Sequence, residues 1–290
     1  MALVSGAPAA IHLRGLQSGA VASSALVENC DGTVAATFDR SAYLRSADGH
    51  FVCLLPPEMP GGPLHLRVDQ PASAWVRALN RGQPYRIVWG ELRSGELAID
   101  LRNTEVWDER LRTGFVQPKE HDVHAMWMAQ LKGYGDRSEP LAAVLGSKTH
   151  WPHSATTALD TLRDWVAGRT DSCAPHALDA LVGLGHGLTP AGDDLLAGTA
   201  LGLRAHASEK LADFSLMVRV RLEHTHPISA AHLGAALDGQ VSAPALVAVT
   251  SLAAGDRARL EDACNQLGQS SGWDMLAGLL LVEQANYLRC

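Results

Sequence analysis

The hydrophobic pattern of the chain changes near Phe115, and this change limits the possible folds more than any other feature of the sequence. Before Phe115, short apolar or alternating runs are separated by turn sequences such as Asp31-Gly32 and Ser94-Gly95. This pattern is typical of closely spaced strands. The predicted strands are Ala35–Tyr43, Phe51–Leu55, Leu64–Val68, Tyr85–Val88 and Leu97–Leu101. Their tight connections predict an antiparallel sheet or a small barrel.

After Phe115 the apolar residues recur mostly with helical spacing. The predicted helices are Glu120–Leu131, Thr156–Ala167, Pro175–Val182, Pro190–His206, Lys210–Glu223, Ser229–Leu237, Ala243–Leu252, Asp256–Leu267 and Gly272–Leu288. The segment Gly133–His153 contains glycines and prolines and is predicted to be an irregular connection. The chain is therefore predicted to be α+β, with a β-rich N-terminal domain over residues 1–115 and an all-helical domain over residues 116–290.

Composition argues against several classes of protein. The net charge is −7 and no run of Lys and Arg occurs, so we expect no nucleic-acid partner. No apolar stretch reaches the roughly 18 residues of a membrane helix, and Met1–Ala10 lacks the basic start of a secretory signal. Five scattered cysteines without a CxxC pair predict reduced thiols, with no disulfide framework and no zinc site. We therefore expect a cytoplasmic protein that does not bind a membrane.

The most informative local motif is the sequence GLGHGLTPAGDD at Gly183–Asp194. Its three alternating glycines allow positive φ and a close approach of the backbone to a ligand. Thr189 is predicted to be the N-cap of the next helix and Pro190 its first residue, so the free N–H groups of that turn would bind an anion. A well-capped turn would explain the threonine and the acids without any ligand, but it does not require three glycines. The spacing is neither Walker nor Rossmann, so no nucleotide is indicated.

A second motif repeats part of the first at an offset of 80 residues. The pattern G-x-D-x-L-A-G-x-x-L occurs in Ala191–Leu201 and again in Ser271–Leu281, so that Asp194 corresponds to Asp274. Both a duplication and a chance recurrence of common residues would explain the match. As a single feature, Asp274 is explained equally well as the acid of a capping box.

A duplication related by a pseudo-two-fold axis would bring two helix starts together. Gly198 and Gly278, one turn inside each helix, would then let the helices pack closely. Two groups of N–H donors and the two aspartates would surround one pocket. We accordingly expect Asp194 and Asp274 to lie within about 15 Å of each other, a few helical turns.

The segment His224–His232 carries three histidines in nine residues, which raises the possibility of a metal site. However, His224 and His226 would point apart on a helix, and no Cys or Glu is placed to complete a zinc site. We therefore expect no metal. The hydroxyls of Thr225 and Ser229 are expected to bind substrate instead, with His232 as a neighbour.

Three motifs in the same order resemble the signature of the AllH-like family, whose members carry a similar GLTP-x-GDD turn. The other two are Thr225–Ser229, which matches a Thr-x-x-Ile-Ser segment, and the turn Ser270-Ser271-Gly272 before the last helix. The resemblance covers about the last hundred residues, and the N-terminal third matches only in general character. It implies a subunit of oxamate carbamoyltransferase that works with FdrA-like and AllG-like subunits. That assembly converts oxalurate and phosphate to oxamate and carbamoyl phosphate in purine and allantoin breakdown.

Two classes of function remain open from the sequence: a catalytic carbamoyltransferase subunit and a non-catalytic small-anion-binding or scaffold protein. We expect no cofactor. The residues expected to be catalytic are Asp194, Asp274 and His186. The residues expected to bind substrate are Gly185, Gly187, Thr189, Gly192, Asp193, Thr225, Ser229, Ser270 and Ser271. Asp194 is singled out because the repeat retains it, and its preferred role is to accept hydrogen bonds from substrate amides. Replacing Asp193 is expected to reduce turnover much less than replacing Asp194.

Overall fold

The computed structural model describes residues 11–116, 127–170 and 175–287. The chain divides into two units, Met1–Glu109 and Arg110–Cys290. The division lies six residues before the boundary predicted from the hydrophobic pattern. The reason is that Leu111 is buried in the core of the helical unit, where its N–H group donates to the Gly239 carbonyl at 2.8 Å.

The N-terminal unit is built from strands, as predicted. Its elements are β1 (Ile11–Gly19), α1 (Ala20–Ala25), β2 (Asp31–Thr37), β3 (Ala42–Ser46), β4 (Phe51–Leu55), β5 (His65–Val68), β6 (Pro84–Val88), β7 (Glu91–Ser94), β8 (Leu97–Asp100) and β9 (Glu105–Trp107). They form one sheet in the order β5-β4-β3-β2-β6-β7-β8-β1-β9, and β5 also pairs with β1. This last pairing closes the sheet into a barrel and leaves β9 beside the second half of β1.

The barrel differs from the prediction in two respects. First, it is not purely antiparallel, because β1 pairs in parallel with β8 and β9, and β4 pairs in parallel with β5. Second, Ala35–Tyr43 is not one strand. It contains the end of β2, a turn in which the Phe38 N–H donates to the Ser41 carbonyl, and the start of β3. Alternate apolar residues of the strands fill the interior, among them Leu13, Val34, Leu44, Leu54, Leu66, Ile87 and Ile99.

The C-terminal unit is all-helical over its described residues, as predicted. Residues 127–131 are helical, and they are followed by α2 (Glu139–Val144), α3 (His153–Val166), α4 (Pro175–Asp179), α5 (Ala191–Ala205), α6 (Leu211–Arg219), α7 (Pro227–Leu237), α8 (Ala243–Ala254), α9 (Arg257–Gln266) and α10 (Ser271–Tyr287). Single 3₁₀ turns occur at Lys132–Tyr134 and Leu222–His224. The predicted residues 120–126 lie outside the described part of the chain, as does Met1–Ala10. None of the described helices has the length and apolar character needed to cross a bilayer.

The segment Gly133–His153 is not an irregular connection, because it contains α2. The hydroxyl of Ser138 accepts the Leu141 N–H at 3.2 Å and caps this helix, and Pro140 lies in its first turn. A serine cap followed by Glu139 and a proline is a helix-start sequence. The flanking glycines concealed that signal.

Helices α5 and α10 form the centre of the helical unit, and α10 buries 13 of its 17 residues. A Cβ atom built on Gly198 would lie 1.9 Å from the Met275 carbonyl oxygen, and one built on Gly278 would lie 1.9 Å from the Leu195 carbonyl oxygen. Gly198 corresponds to Gly278 in the repeat, and Leu195 corresponds to Met275, so each contact is the counterpart of the other. The two contacts are therefore related by a pseudo-two-fold axis. The two copies of the repeat therefore pack on each other at their glycines.

The two central helices run in the same direction. Near their starts, the hydroxyl oxygens of Thr189 and Ser271 are 3.0 Å apart. A Cβ on Gly202, further along α5, would lie 3.0 Å from the Cβ of Val282 on α10. Because the contacts advance together along both helices, the N-terminal ends of α5 and α10 converge at the same end of the unit.

Candidate functional site

The glycine-rich loop before α5 requires glycine for two separate reasons. Gly183, Gly185 and Gly187 have φ angles of 72°, 124° and 93°, a region that side chains with a Cβ rarely adopt. Gly183 and Gly185 also have no room for a Cβ, since it would lie 2.8 Å from the His224 carbonyl oxygen and 2.8 Å from the Ala191 nitrogen, respectively. Gly185 and Gly187 are exposed, so this loop forms part of the surface at the start of α5.

The start of α5 differs from the predicted anion site. The helix begins at Ala191, and Pro190 precedes it without a side-chain cap, so Thr189 is not the N-cap. The Gly192 N–H donates to the Leu184 carbonyl at 2.9 Å, and those of Asp193 and Asp194 donate to the Pro190 carbonyl at 2.9 and 3.2 Å. Three donors of the first turn are therefore already used.

Unused donors lie instead in the loop itself. Within the described residues, the backbone N–H groups of residues 185–189 make no hydrogen bond to another backbone group. The backbone there alternates between positive φ at the glycines and negative φ at Leu184 and His186, and successive N–H groups in such turns form anion-binding concavities. His186 is exposed at the same loop.

Asp193 connects the loop, α5 and the start of α7 through side-chain hydrogen bonds. The side chain is 2% exposed. Its Oδ1 accepts the Gly183 N–H at 2.8 Å, and its Oδ2 accepts the hydroxyls of Thr225 and of Ser229, the latter at 2.6 Å. Both carboxyl oxygens are thus occupied by protein donors. The structure brings these three residues, each expected to bind substrate, into contact, but their polar groups bond to one another.

Asp194, the next residue, has different surroundings. Burial raises the pKa of Asp194 well above its ordinary value, and the charges of Asp274 and Asp193 raise it further, whereas the hydroxyls of Ser271 and Thr189 beside it lower it in part. Its Oδ2 is buried and has no hydrogen-bond partner among the described residues. The side chain therefore combines a shielded carboxyl group with an unused acceptor.

Asp274 is the equivalent acid on α10 and is 1% exposed. Burial raises the pKa of Asp274 to about 6, and the hydroxyls of Ser138 and Ser270 lower it in part. Its Oδ1 likewise lacks a partner in the described part of the chain. Since the charge of Asp274 acts on Asp194, the two carboxyl groups lie near each other, at the converging ends of the repeat.

The remaining predicted residues lie around this pair in different roles. Gly192 is buried, and a Cβ there would lie 2.0 Å from the Leu181 carbonyl oxygen, so it permits helix packing. Ser270 is exposed, and its carbonyl accepts the N–H groups of Trp273 and Asp274 at 2.8 and 2.9 Å.

The histidines of the His224–His232 segment do not assemble. His224 and His226 are exposed, and Nδ1 of His226 accepts the Ile228 N–H at 3.2 Å to cap α7. Burial lowers the pKa of His232 to about 4. Among the residues that the structure describes, no group of three or more His, Cys, Asp or Glu side chains is arranged to hold a metal ion.

Sequence reasoning missed the third wall of the site, which comes from the segment that was predicted to be irregular. Ser138 faces Asp274, and the ring of Tyr134 packs on Trp273 with centroids 4.9 Å apart. The guanidinium of Arg137 lies over the same Trp273 ring, 5.3 Å from its centre. The cap signal at Ser138 could have identified the helix but not its distant partner.

Comparison with known proteins supports the resemblance seen in the motifs. Residues 181–283 match the family model described as oxamate carbamoyltransferase subunit AllH. Residues 14–106, which form most of the barrel, match the model of the AllH family N-terminal domain. Neither the curated proteins nor the solved structures contain a significant match. Because the two models together cover most of the chain, including the barrel and the carboxyl pair, the protein belongs to the AllH family.

Proposed function

We propose that this chain is a subunit of an oxamate carbamoyltransferase-like complex. The proposed reaction converts oxalurate and phosphate to oxamate and carbamoyl phosphate, as part of purine and allantoin breakdown. A paralogous reaction on a related carbamoyl or acyl compound would use the same site. FdrA-like and AllG-like subunits are the proposed partners. The observation that carries the proposal is the pair of carboxyl groups, each with one buried and unpartnered oxygen, at the converging starts of α5 and α10.

Unpartnered buried acceptors are costly unless something satisfies them. Asp194 Oδ2 and Asp274 Oδ1 are such acceptors. Ureido compounds such as oxalurate carry several amide N–H groups on one face, which are the donors that these oxygens lack. We therefore propose that the carbamoyl end of the substrate binds between the two aspartates, bordered by the hydroxyls of Thr189 and Ser271.

The phosphate is proposed to bind to the loop before α5. The N–H groups of residues 185–189 lack backbone partners in the described part of the chain, and Thr189 at the end of the loop lies beside Asp194. A phosphate held there would be adjacent to the carbamoyl group. Holding two anions in contact removes most of the entropic barrier to transfer between them.

A catalytic role is favoured over a purely anion-binding role by the acids themselves. A protein that only holds small anions gains nothing from two buried carboxyl groups beside them, because like charges repel. Such groups are useful when protons must move during a reaction. The raised pKa values of Asp194 and Asp274 thus also argue against the expectation that Asp194 acts only as an unprotonated acceptor.

The test is a carbamoyl-transfer assay on the complex reconstituted with FdrA-like and AllG-like subunits, using oxalurate and phosphate. We expect transfer by the wild type and a loss of at least ~10²-fold in kcat for Asp194→Asn, the lower end for a positioned proton-transfer group. The matched control is Asp262→Asn, which changes an exposed acid on α9. Binding of oxalurate without any transfer by the wild-type complex would favour the scaffold alternative.

A further inference from the structure

The two carboxyl groups of the site are related by the repeat but are not equivalent. Asp194 stands next to Asp193, whose oxygens accept three hydrogen bonds from Gly183, Thr225 and Ser229. Asp194 therefore faces carboxyl groups on two sides, Asp193 on its own helix and Asp274 on α10. No carboxyl neighbour precedes Asp274 in its copy, because the position that matches Asp193 is Trp273. Two hydroxyls lie beside each acid, those of Ser138 and Ser270 at Asp274 and those of Ser271 and Thr189 at Asp194.

From this asymmetry we infer that Asp194 is the general acid and Asp274 the general base of carbamoyl transfer. The inference rests on the proposed function and assigns the two proton transfers of that reaction. Where three carboxyl groups crowd together, the one flanked by the other two retains the proton. Asp194 is that group, because Asp193 and Asp274 both raise its pKa, whereas no such pair of carboxyl groups acts on Asp274.

The proton balance of the reaction needs both groups. An oxygen of hydrogen phosphate attacks the carbamoyl carbon and forms an O–C bond, and its proton passes to Asp274. The bond from that carbon to the nitrogen of the oxamate portion breaks, and its electron pair remains on nitrogen. Asp194 donates a proton to this nitrogen, because an amide anion is too basic to leave. Transfer of one proton from Asp274 to Asp194 then restores the resting site.

The electrostatic surroundings of the two aspartates support the same assignment of acid and base. Burial raises the pKa of Asp194 well above its ordinary value, and the charges of the two neighbouring carboxyl groups, Asp274 and Asp193, raise it further. The pKa of Asp274 is raised to about 6, so this group is ionised at neutral pH. The other charged groups near the start of α10 are Arg137, Arg257 and Glu261. They lie around Trp273 and Tyr134, where Arg257 and Glu261 bond to the Tyr134 hydroxyl.

The first test is infrared difference spectroscopy of the full chain near pH 7.5, without substrate. A band from a protonated carboxyl group is expected in the wild type and in Asp274→Asn, and it is expected to disappear in Asp194→Asn. A band that instead disappears in Asp274→Asn, or that is absent from the wild type, would overturn the inference. Since Asn has nearly the same shape as Asp, near-ultraviolet circular dichroism will show whether each variant is folded.

The second test uses the reconstituted complex and two substrates, oxalurate and 4-nitrophenyl carbamate. The nitrophenolate leaves without a proton, so Asp194→Asn is expected to lose at least ~10²-fold with oxalurate but less than ~10-fold with the nitrophenyl ester. Asp274→Asn is expected to lose a similar factor with both. Equal losses for Asp194→Asn with both substrates would contradict the assignment. A wild-type complex without carbamoyl transfer would refute the proposed function instead, while the infrared result would still report the protonation states.

Discussion

Asp193 and Asp194 are adjacent in the sequence, yet the fold gives their carboxyl groups separate tasks. The repeat distinguished them, because only Asp194 has an aspartate counterpart. It did not reveal that Asp193 bonds to Thr225 and Ser229 on a distant segment. The sequence therefore singled out Asp194 among the candidate residues, but it did not show which polar groups satisfy one another. That information depends on how α7 packs on α5.

Replacing Asp193 is expected to affect stability more than any other change at the site. Asp193→Ala leaves the Gly183 N–H and two hydroxyls without their acceptor in a buried place. Loss of a buried hydrogen-bonded carboxylate lowers the free energy of unfolding by about 3–5 kcal/mol. Urea denaturation will measure this, with Asp262→Ala as an exposed control that stays within about 0.5 kcal/mol of the wild type. A variant as stable as that control would show that the hydrogen bonds of Asp193 do not stabilise the fold.

The raised pKa of Asp274 predicts a specific dependence of stability on pH. The folded protein holds this proton up to about pH 6, whereas the unfolded chain releases it near its ordinary value of 3.8. The folded state therefore binds more protons in this interval, and the contribution of Asp274 to stability is lost as the pH rises from about 4 to about 6. Above that interval the ionised, buried group costs up to about 3 kcal/mol, at 1.36 kcal/mol for each pKa unit.

Asp274→Asn removes this cost. We expect the variant to have a higher free energy of unfolding than the wild type near pH 8, and the difference to vanish near pH 4. Chemical denaturation at several pH values will test this. A stability difference that does not change with pH would mean that Asp274 has no raised pKa. A gain in stability combined with a loss of activity would be the usual cost of a strained functional group.

At the scale of elements, the crossing of α5 and α10 depends on two glycines. Gly198→Ala and Gly278→Ala each place a methyl group 1.9 Å from a carbonyl oxygen of the other helix. Backbone atoms cannot move aside as a flexible side chain can, so the helices must separate. We expect each change to lower the free energy of unfolding by about 3 kcal/mol or more.

Gly234→Ala is the matched control, since Gly234 lies inside α7 and a Cβ there would have nothing within 4 Å. Alanine is the better helix former, so this change is expected to stabilise the protein by about 0.5–1 kcal/mol. Thermal unfolding of the three variants will separate packing from helix propensity. Equal effects at Gly198, Gly278 and Gly234 would contradict the close crossing.

Long elements with a strong hydrophobic period could be predicted from the sequence, whereas short or polar ones could not. The central helices α5 and α10 were predicted within about two residues of their bounds. Strand β1, with the sequence IHLRGLQSG, contains two glycines and four polar residues and gave no clear alternation. It is nevertheless the strand on which β5, β8 and β9 meet. Parallel pairing between distant strands leaves no local signal, so barrel closure could not be specified in advance.

At the scale of the whole molecule, the chain contains two separate hydrophobic cores, one inside the barrel and one among the helices. A unit with its own core can in principle fold alone. We expect the fragment Arg110–Cys290 to be helical by circular dichroism and to unfold cooperatively on heating. We also expect Asp193→Ala to destabilise it as it does the full chain. A fragment without a cooperative transition would show that the barrel is needed for the helical core to form.

The family could be recognised from three motifs in the last hundred residues, and the family models extend this to the barrel. The convergence of the two helix starts at the candidate site could be predicted, because the glycine turn and the repeat both pointed to them. Its chemistry could not, because the pKa values of Asp194 and Asp274 depend on burial and on each other. Neither the burial of the two carboxyl groups nor their interaction can be predicted from the sequence, because both depend on how the helices pack.

The exchange of Asp193 for Trp273 between the two copies has a consequence for regioselectivity. One side of the carboxyl pair is bordered by a carboxylate network, and the other by an indole stacked on Tyr134 at 4.9 Å. The central carbon of oxalurate carries a free amino nitrogen on one side and an acylated nitrogen on the other. If oxalurate is the substrate, as proposed, unlike walls would hold these two nitrogens in one order. The acylated nitrogen would then face the acid at every turnover.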